Sequence, residues 1–454
     1  MITGPFSFSL TAQTMQRTFI GSLSTVVGQE VAIAGFVTAT RVLKRMIFVV
    51  VQDRTGRAQV TIERSPAGTP PADLEQAAVE LTTGSAVRVV GRVVENAAVK
   101  VGGVELIARA LEVASRAEPG LPIDEQSASD LQLDWRFLAL RRPENLLVFE
   151  VQTTIERAMR EYWAANEFLE LHSPKLMHSA SESGADTFAM SYFELGTAYL
   201  AQSPQFYKQM AIAGGFERVF EIGPVFRAEP SLTPRHAAEF TSVDVEMAWV
   251  SSHEDVMHME EQWLDHILSM VEREHGRAIE QTLGVRVVVP PRVFPRLTMR
   301  EAHALLRELG HAIPSETKAG DIDPAGERAI ARWALETHGS EFVFLTDYPA
   351  TLRPFYHMCA AHDASITNSF DLLWQGVELT TGAQREHRHD VLSRQAEEAG
   401  LRDSVSYYLD FFRYGCPPHG GFGLGLARLV MLLLGLPSIR EATFLHRGPT
   451  RLTP

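Results

Sequence analysis

The chain has 454 residues, 45% of them apolar and 22% charged, with a formal charge of −14. This length predicts two or three domains, and the composition excludes a disordered or collagenous chain; no apolar run reaches the ~18–20 residues that would cross a bilayer. Two cysteines, Cys359 and Cys416, exclude a disulfide framework and a four-cysteine zinc site, and Arg17 is the only basic residue before position 40, too late for a secretory signal, so a reduced, cytoplasmic setting is expected.

Between 28 and 113 short β-rich runs follow one another: "VAIAGFV", "MIFVVVQD", "RAQVTIE", "SAVRVVGRVV" and "GVELIARALEV". The turn "DRTGR" separates the second from the third, and the helical stretch "PPADLEQAAVELT" precedes the fourth. Five strands with a helix between the third and fourth predict a small Greek-key barrel of the oligonucleotide-binding (OB) type, assigned to residues 1–115. Within 28–113 ten Lys/Arg balance nine Asp/Glu, so the acidic excess lies later and this region can meet a polyanion without a large repulsive field.

Residues 116–134 are Pro-, Ser- and acid-rich without a period and read as a linker, with a second domain over 135–454. That domain opens with Pro143 and Glu144, both favoured at a helix start, and places Leu147, Val151, Ile155, Met159 and Tyr162 on one helical face. Such a stripe is hard to leave exposed and suits an interface. Strands and helices then alternate irregularly, with no phosphate-binding GxxxxGK[ST] loop and no dinucleotide fingerprint.

The run "RVFEIGPVFRAE" read with period two sets Phe220, Ile222, Pro224 and Phe226 on one face and Glu221, Val225 and Arg227 on the other. The return run "FTSVDVEMAW" alternates Val243, Val245 and Met247 against Ser242, Asp244 and Glu246. The polar face is either solvated or the floor of a charged pocket. Two later segments favour the pocket. "FDLLWQGVELTTGAQREHRHD" carries Asp371 and Glu378 seven apart, then Gln384 and Arg385; "PPHGGFGLGLARLVMLLLGL" runs Gly421, Gly423 and Gly425 into an apolar helix bearing Arg428. Glycines admit a flat or charged ligand close to the backbone, and an arginine near a helix start can pair a phosphate.

Together these segments resemble the class II aminoacyl-tRNA synthetases, specifically the archaeal-type aspartyl-tRNA synthetases, over nearly the whole chain. Motif 1 of that family resembles "NEFLELHSPKL" within about 150–176 and implies a homodimer; motif 2 resembles "FRAEPSLTPRHAAEF" within about 217–249; motif 3 is similar to "GFGLGLARLVM" within about 419–436. Neither HIGH nor KMSKS, the signatures of the rival class, is present. The fold implied is α+β: the five-stranded OB barrel, then a class II catalytic domain with an antiparallel sheet flanked by helices.

The resemblance implies an ATP- and Mg²⁺-dependent ligase that activates L-aspartate and transfers it to tRNA(Asp), with no role for DNA or a membrane. It gives the α-phosphate to Arg227, the adenine edge to Glu229, the outer phosphates to Arg235 and His236, and the far side of the nucleotide to Arg428, with Gly425 beside it. A bidentate guanidinium suits the charge that builds on a pentacoordinate phosphate. Glu378 is the implied main magnesium ligand, assisted by Asp371 and the hydroxyl of Thr381, where the family usually has serine. Lys208 in "QSPQFYKQ" and Arg385 would hold the side-chain carboxylate of aspartate, Glu182 in "SESGAD" its ammonium, and Gln205 would line the same pocket; the bland reading of Lys208 is a solvated helix lysine. On the barrel, Phe36, Arg41, Phe48 and Gln59 would read anticodon bases, with Arg54 and Arg57 on backbone, although Phe48 suits a barrel core as well. Thr38 follows "GFV" where the family residue helps decide whether tRNA(Asn) is charged too, and it matches neither usual form.

Departures from the family pattern are Ala427 in place of an acid before Arg428, His446 and Gly448 in place of proline and aspartate, and Ala139 at a usual aspartate. They leave two rival readings: an adenylate-forming paralogue that passes aspartate to another acceptor, and a non-catalytic tRNA-binding paralogue.

Overall fold

The computed structural model describes residues 15–66, 72–100, 102–179, 187–230, 233–291 and 293–454. The chain divides into two compact units, Met1–Leu146 and Leu147–Pro454.

In the first unit β1 (Glu30–Val42), β2 (Met46–Asp53), β3 (Gly56–Glu63), β4 (Ala86–Glu95) and β5 (Val104–Ser115) form a closed barrel in the order β1-β2-β3-β5-β4, with α1 (Asp73–Val79) between β3 and β4. Alternation decides what fills it: Ile33, Val49, Val51, Val60, Val89 and Leu106 are buried at its centre, while their neighbours in sequence face outward. Closure leaves no edge strand to cap. The turn between β2 and β3 is pinned by Asp53, whose carboxylate accepts from the amides of Ile20 at 3.0 Å and Thr55 at 2.8 Å. A short helix, Ser129–Asp134, ends the segment that sequence reads as linker.

The second unit is built on an eight-stranded sheet. Its strands are β6 (Leu169–Glu170), β7 (Arg218–Phe226), β8 (Glu239–Ala248), β9 (Arg296–Thr298), β10 (Phe342–Thr346), β11 (Ser369–Trp374), β12 (Val377–Arg385) and β13 (His419–Gly425), in the order β9-β10-β11-β12-β13-β8-β7-β6. The six inner strands are antiparallel, as expected, but both edges are not: β9 runs parallel to β10 and β6 parallel to β7. Helices lie in the chain between the members of each edge pair, and a helical crossover returns a strand parallel. The sheet is therefore mixed, which the pattern of single strands does not reveal.

One face of this sheet is apolar. Phe220, Val243, Val245, Phe422 and Leu424 pack against α2 (Pro143–Ala165) and α4 (His253–Leu283) in one core, where Trp163 stacks on Trp263 with ring centroids 5.2 Å apart. The helix α4 starts on a capping box, Ser252 with Asp255, and stops at Gly284 in the left-handed region, φ +71°. The stripe on α2 belongs to this core: Val151, Ile155 and Met159 are wholly buried within one chain, so it is not a free surface for a partner. Two more helices are α3 (Gln205–Ala213) and α5 (Pro324–His338); α6 (Leu426–Leu433), which follows β13 directly, sends Leu429 and Leu433 into the apolar core and Arg428 to the cavity.

Candidate active site

The polar face is a floor made by register. Asp244 on β8 faces Gly423 on β13, which faces Thr381 on β12, which faces Asp371 on β11, so one row crosses four strands. The next row begins at Glu246, opposite Gly421. A Cβ at Gly421 would press on the carbonyl of Val245 and lie 2.6 Å from Oε2 of Glu246; one at Gly423 would lie 2.9 Å from Asp244. The alternating glycines thus make room for two carboxylates. Glu378 joins the floor because the register slips between Leu372 and Leu373: Thr380 faces Leu372 on the core side, and the extra residue turns Glu378 back toward Thr381. Over this floor lies a cavity of about 280 Å³.

At one end sit two buried cations. Lys208, on α3, is 3% exposed; its Nζ lies 3.2 Å from both Asp244 and Glu246 and within reach of the carbonyls of Val245 and Phe422, at 3.3 and 3.4 Å. The solvated-lysine reading therefore fails. Arg385 donates from Nε to Glu246 at 3.1 Å, from Nη2 to the carbonyl of Gly421 at 2.9 Å, and lies with Nη1 2.8 Å from Nε2 of His357. Burial alone would raise the Glu246 pKa, but the charges of Arg385 and then Lys208 hold it below the ordinary value. Gln205 lines the same end and donates to Gln209 at 2.9 Å. Gln209 is fixed in turn by Tyr408, which donates to it at 3.0 Å, and by His419 at 2.9 Å. Burial brings the His419 pKa down to about 4, so the ring is neutral, with Nδ1 donating to Pro417 and Nε2 accepting from Gln209.

At the other end Arg227, Glu229, Arg235, His236 and Arg428 line the cavity around Phe240. The Arg227 guanidinium lies 5.4 Å from the centre of the Phe240 ring. His236 touches Thr233, and burial, then Arg428, Arg235 and Arg227, lower its pKa against the pull of Glu229. Gly425 closes the rim, with room for a Cβ 3.6 Å from Phe240. From α6, Arg428 donates to the backbone carbonyl of Glu378 at 2.7 Å and to its carboxylate at 3.3 Å.

Between the two ends lie acids. Glu378 is 44% exposed, into the cavity rather than to bulk water, and desolvation by the walls followed by the charge of Asp371 raises its pKa. Burial and then Glu378 raise Glu327, in the first turn of α5, to about 7. Thr381 donates to Glu378 at 3.3 Å. Asp371 is less free: Arg353, stacked 3.6 Å above the Tyr348 ring, approaches it at 2.8 Å. Among the described residues no group of three or more His, Cys, Asp or Glu is placed to cage a metal. Magnesium, however, keeps waters and phosphate oxygens and needs only one or two carboxylates. Glu378 and Asp371, on neighbouring strands of the floor, are the carboxylates such a cation could use, with Glu378 clear of Arg353 and lining the cavity.

On the barrel unit Arg41, Phe48 and Gln59 line one cleft, together with Asn96 and Val99. Gln59 is oriented by Glu105, to which it donates at 2.9 Å. Phe36 and Thr38 line a different cleft with Gln52, Arg54 and Arg57, and the guanidinium of Arg141 lies 3.8 Å over the Phe36 ring. The bulge in β1 between Val37 and Ala39 separates the two sets. Phe36, 37% exposed, carries the Arg141 guanidinium on its ring and lies in a different cleft from Phe48.

Glu182 lies outside the described residues. The sequence reading gave no role to Asp244, Glu246, Phe240, His357 or Tyr356; strand alternation marked the first two as polar-face residues, and nothing local marked the others. The departures also have a structural account. Ala427 lines the cavity beside Arg428, and Ala139 is buried. A Cβ at Gly448 would lie 2.9 Å from Nε2 of buried His446, so the two exchanges at the tail depend on each other.

Residues 128–447 match the family model for class II tRNA synthetases (D, K and N), and residues 31–114 match that for the OB-fold nucleic acid binding domain. The chain is 40% identical over 442 residues to the aspartate–tRNA(Asp/Asn) ligase of Aeropyrum pernix, covering 96% of this chain and 98% of that one. It is 39% identical over 432 residues to the aspartate–tRNA(Asp) ligase of Pyrococcus abyssi, covering 94% and 97%. The crystal structure of asparaginyl-tRNA synthetase from Pyrococcus horikoshii complexed with asparaginyl-adenylate superimposes with a TM-score of 0.87 at 30% identity, over 97% of this chain and all of that one.

Proposed function

The chain belongs to the class II tRNA synthetases of the D, K and N group, and we propose that it is an aspartate–tRNA ligase: it joins L-aspartate to AMP at the expense of ATP and passes the aspartyl group to the 3′ end of tRNA(Asp). The observation that carries the choice of amino acid is the pair of buried cations, Lys208 and Arg385, bridged by Glu246 at one end of the cavity. Glu246 and Asp244 offset the charge of the two cations, yet a side-chain carboxylate still gains charge-assisted hydrogen bonds from both that a neutral carboxamide makes only more weakly. Asp244, at the same end, offers an anion for the substrate ammonium.

The remaining residues fit the chemistry of activation. An oxygen of the aspartate α-carboxylate attacks the α-phosphorus of ATP, and pyrophosphate leaves. Arg227 is placed to take the charge that grows on that phosphate, Phe240 offers a face for the purine, and Arg235, His236 and Arg428 surround the outer phosphates. Glu378 would hold Mg²⁺, with the Thr381 hydroxyl beside it; when bound, the ion would offset phosphate charge. Asp371, engaged by Arg353, would then support Glu378 rather than lead. No general base is required of the protein: the adenylate is a mixed anhydride, and as the bound tRNA hydroxyl attacks its carbonyl carbon, the bond to phosphate breaks, AMP leaves and the hydroxyl proton passes to a phosphate oxygen.

The barrel would read anticodon bases on Phe48, with Arg41 and Gln59 at their edges. A homodimer through residues 166–176 and a cytoplasmic location complete the proposal; no described helix is long and apolar enough to cross a membrane. ATP–pyrophosphate exchange tests the core of it. Exchange should depend on aspartate and not on asparagine; exchange driven equally by asparagine, or by neither, would reject the assignment.

A further inference from the structure

His357 is an outlier in the cavity. It is 2% exposed, yet it lines the space that Lys208 and Arg385 face. Its position is fixed by the backbone: His357 bridges Arg385, Met358 N donates to the Gln384 carbonyl at 3.1 Å, and Glu386 N donates to the Tyr356 carbonyl at 2.9 Å. The His357 carbonyl is also held by Gln395 at 2.9 Å. The backbone at His357 is thus held in a short antiparallel ladder beside β12, and the ring is held by its contact with Arg385.

Its tautomer is dictated by its neighbour. A guanidinium only donates, so Nε2, 2.8 Å from Nη1 of Arg385, must accept. Three cations, Arg385, Arg353 and Lys208, face the ring; burial first and then their charges keep it neutral. The proton therefore sits on Nδ1. That nitrogen is buried and has no hydrogen-bond partner in the protein. A buried donor left unpaired is costly, so a group that supplies an acceptor is what this site lacks.

Building on the aspartate reading above, we propose that His357 is a positioning residue for the amino-acid substrate: Nε2 orients the Arg385 guanidinium, and Nδ1–H donates to a side-chain carboxylate oxygen of bound aspartate. It would be a third, uncharged contact to that carboxylate. Its geometry is also selective, because a carboxamide that turns its NH₂ toward Nδ1–H sets two donors against each other.

The test is ATP–pyrophosphate exchange with His357→Phe, which keeps the ring and removes both nitrogens, and His357→Gln, which restores one acceptor and one donor. His357→Phe should raise the KM for aspartate about tenfold or more, with the KM for ATP within about twofold and kcat less affected. His357→Gln should recover part of the loss. Equal rises in both KM values, an unchanged KM for aspartate, or no recovery with Gln would overturn the proposal. If His357→Phe does not fold, His357→Asn and His357→Gln are read by the same split. Wild-type protein that fails to exchange with aspartate would instead reject the ligase reading itself.

Discussion

Nζ of Lys208 lies 3.2 Å from one oxygen of Glu246, and the other oxygen of the same carboxylate takes Nε of Arg385 at 3.1 Å. One wholly buried anion thus holds two cations at a set separation, and removing it leaves Arg385 without its carboxylate and Lys208 with Asp244 alone. Glu246→Ala is expected to cost about 3–5 kcal/mol of stability, measured by chemical denaturation. The sign of its pH dependence follows from the lowered pKa: the contribution is complete above the ordinary carboxylate value of 4.5 and is lost as pH falls through the lower folded value.

The glycines of β13 separate two causes. Gly421→Ala should destabilise the fold by roughly 3 kcal/mol or more, because its Cβ meets backbone and the Glu246 carboxylate. Gly425→Ala, with only an ordinary contact to Phe240 at 3.6 Å, should change thermal stability by less than about 1 kcal/mol. Similar melting temperatures for the two variants would refute the close-packing account.

Arg227 is exposed and stands over Phe240, so its loss should spare the fold and damage the reaction. Arg227→Ala is expected to lower kcat in pyrophosphate exchange by about 10²–10³-fold, as losing one transition-state donor does, with no shift in melting temperature.

Two phenylalanines on the barrel should part company. Phe48→Ala should weaken tRNA charging by about 1–3 kcal/mol, mostly in the KM for tRNA, and leave pyrophosphate exchange alone. Phe36→Ala, which uncovers Arg141, should lower the stability of the barrel unit instead. Equal effects on charging would mean that both rings face RNA.

Glu260 supplies a pH test remote from the cations. It is fully buried, accepts from Thr380 at 2.6 Å, and burial raises its pKa to about 8. The folded state therefore holds a proton that the unfolded chain releases above about 4.5, and stability falls as pH rises from there to about 8. Glu260→Gln should be more stable than the parent at pH 8 by about 3–5 kcal/mol, with the difference vanishing near pH 4.5.

Local pattern carried the reading of this sequence far, for reasons these residues make plain. Period two separated Ser242, Asp244 and Glu246 from Val243 and Val245, so the polar floor was legible as a face. What each carboxylate meets was not, because Lys208, Arg385 and Gly421 arrive from three other segments. The slip at Leu372 and Leu373 also hides in sequence: alternation alone puts Glu378 with Thr380 on the core side. The α2 stripe shows the reverse error, since Val151, Ile155 and Met159 suit an interface by pattern and lie instead in the core shared with α4. Nothing near His357 signals its contact with Arg385, 28 residues away.

Charging of labelled aspartate onto purified tRNA(Asp) and tRNA(Asn), with ATP and magnesium, tests the central claim most directly. The account predicts label on tRNA(Asp); label on tRNA(Asn) as well would define a relaxed enzyme of the same chemistry. Active, folded protein that labels neither would contradict it, and would turn the cavity around Lys208 and Arg385 toward another acceptor.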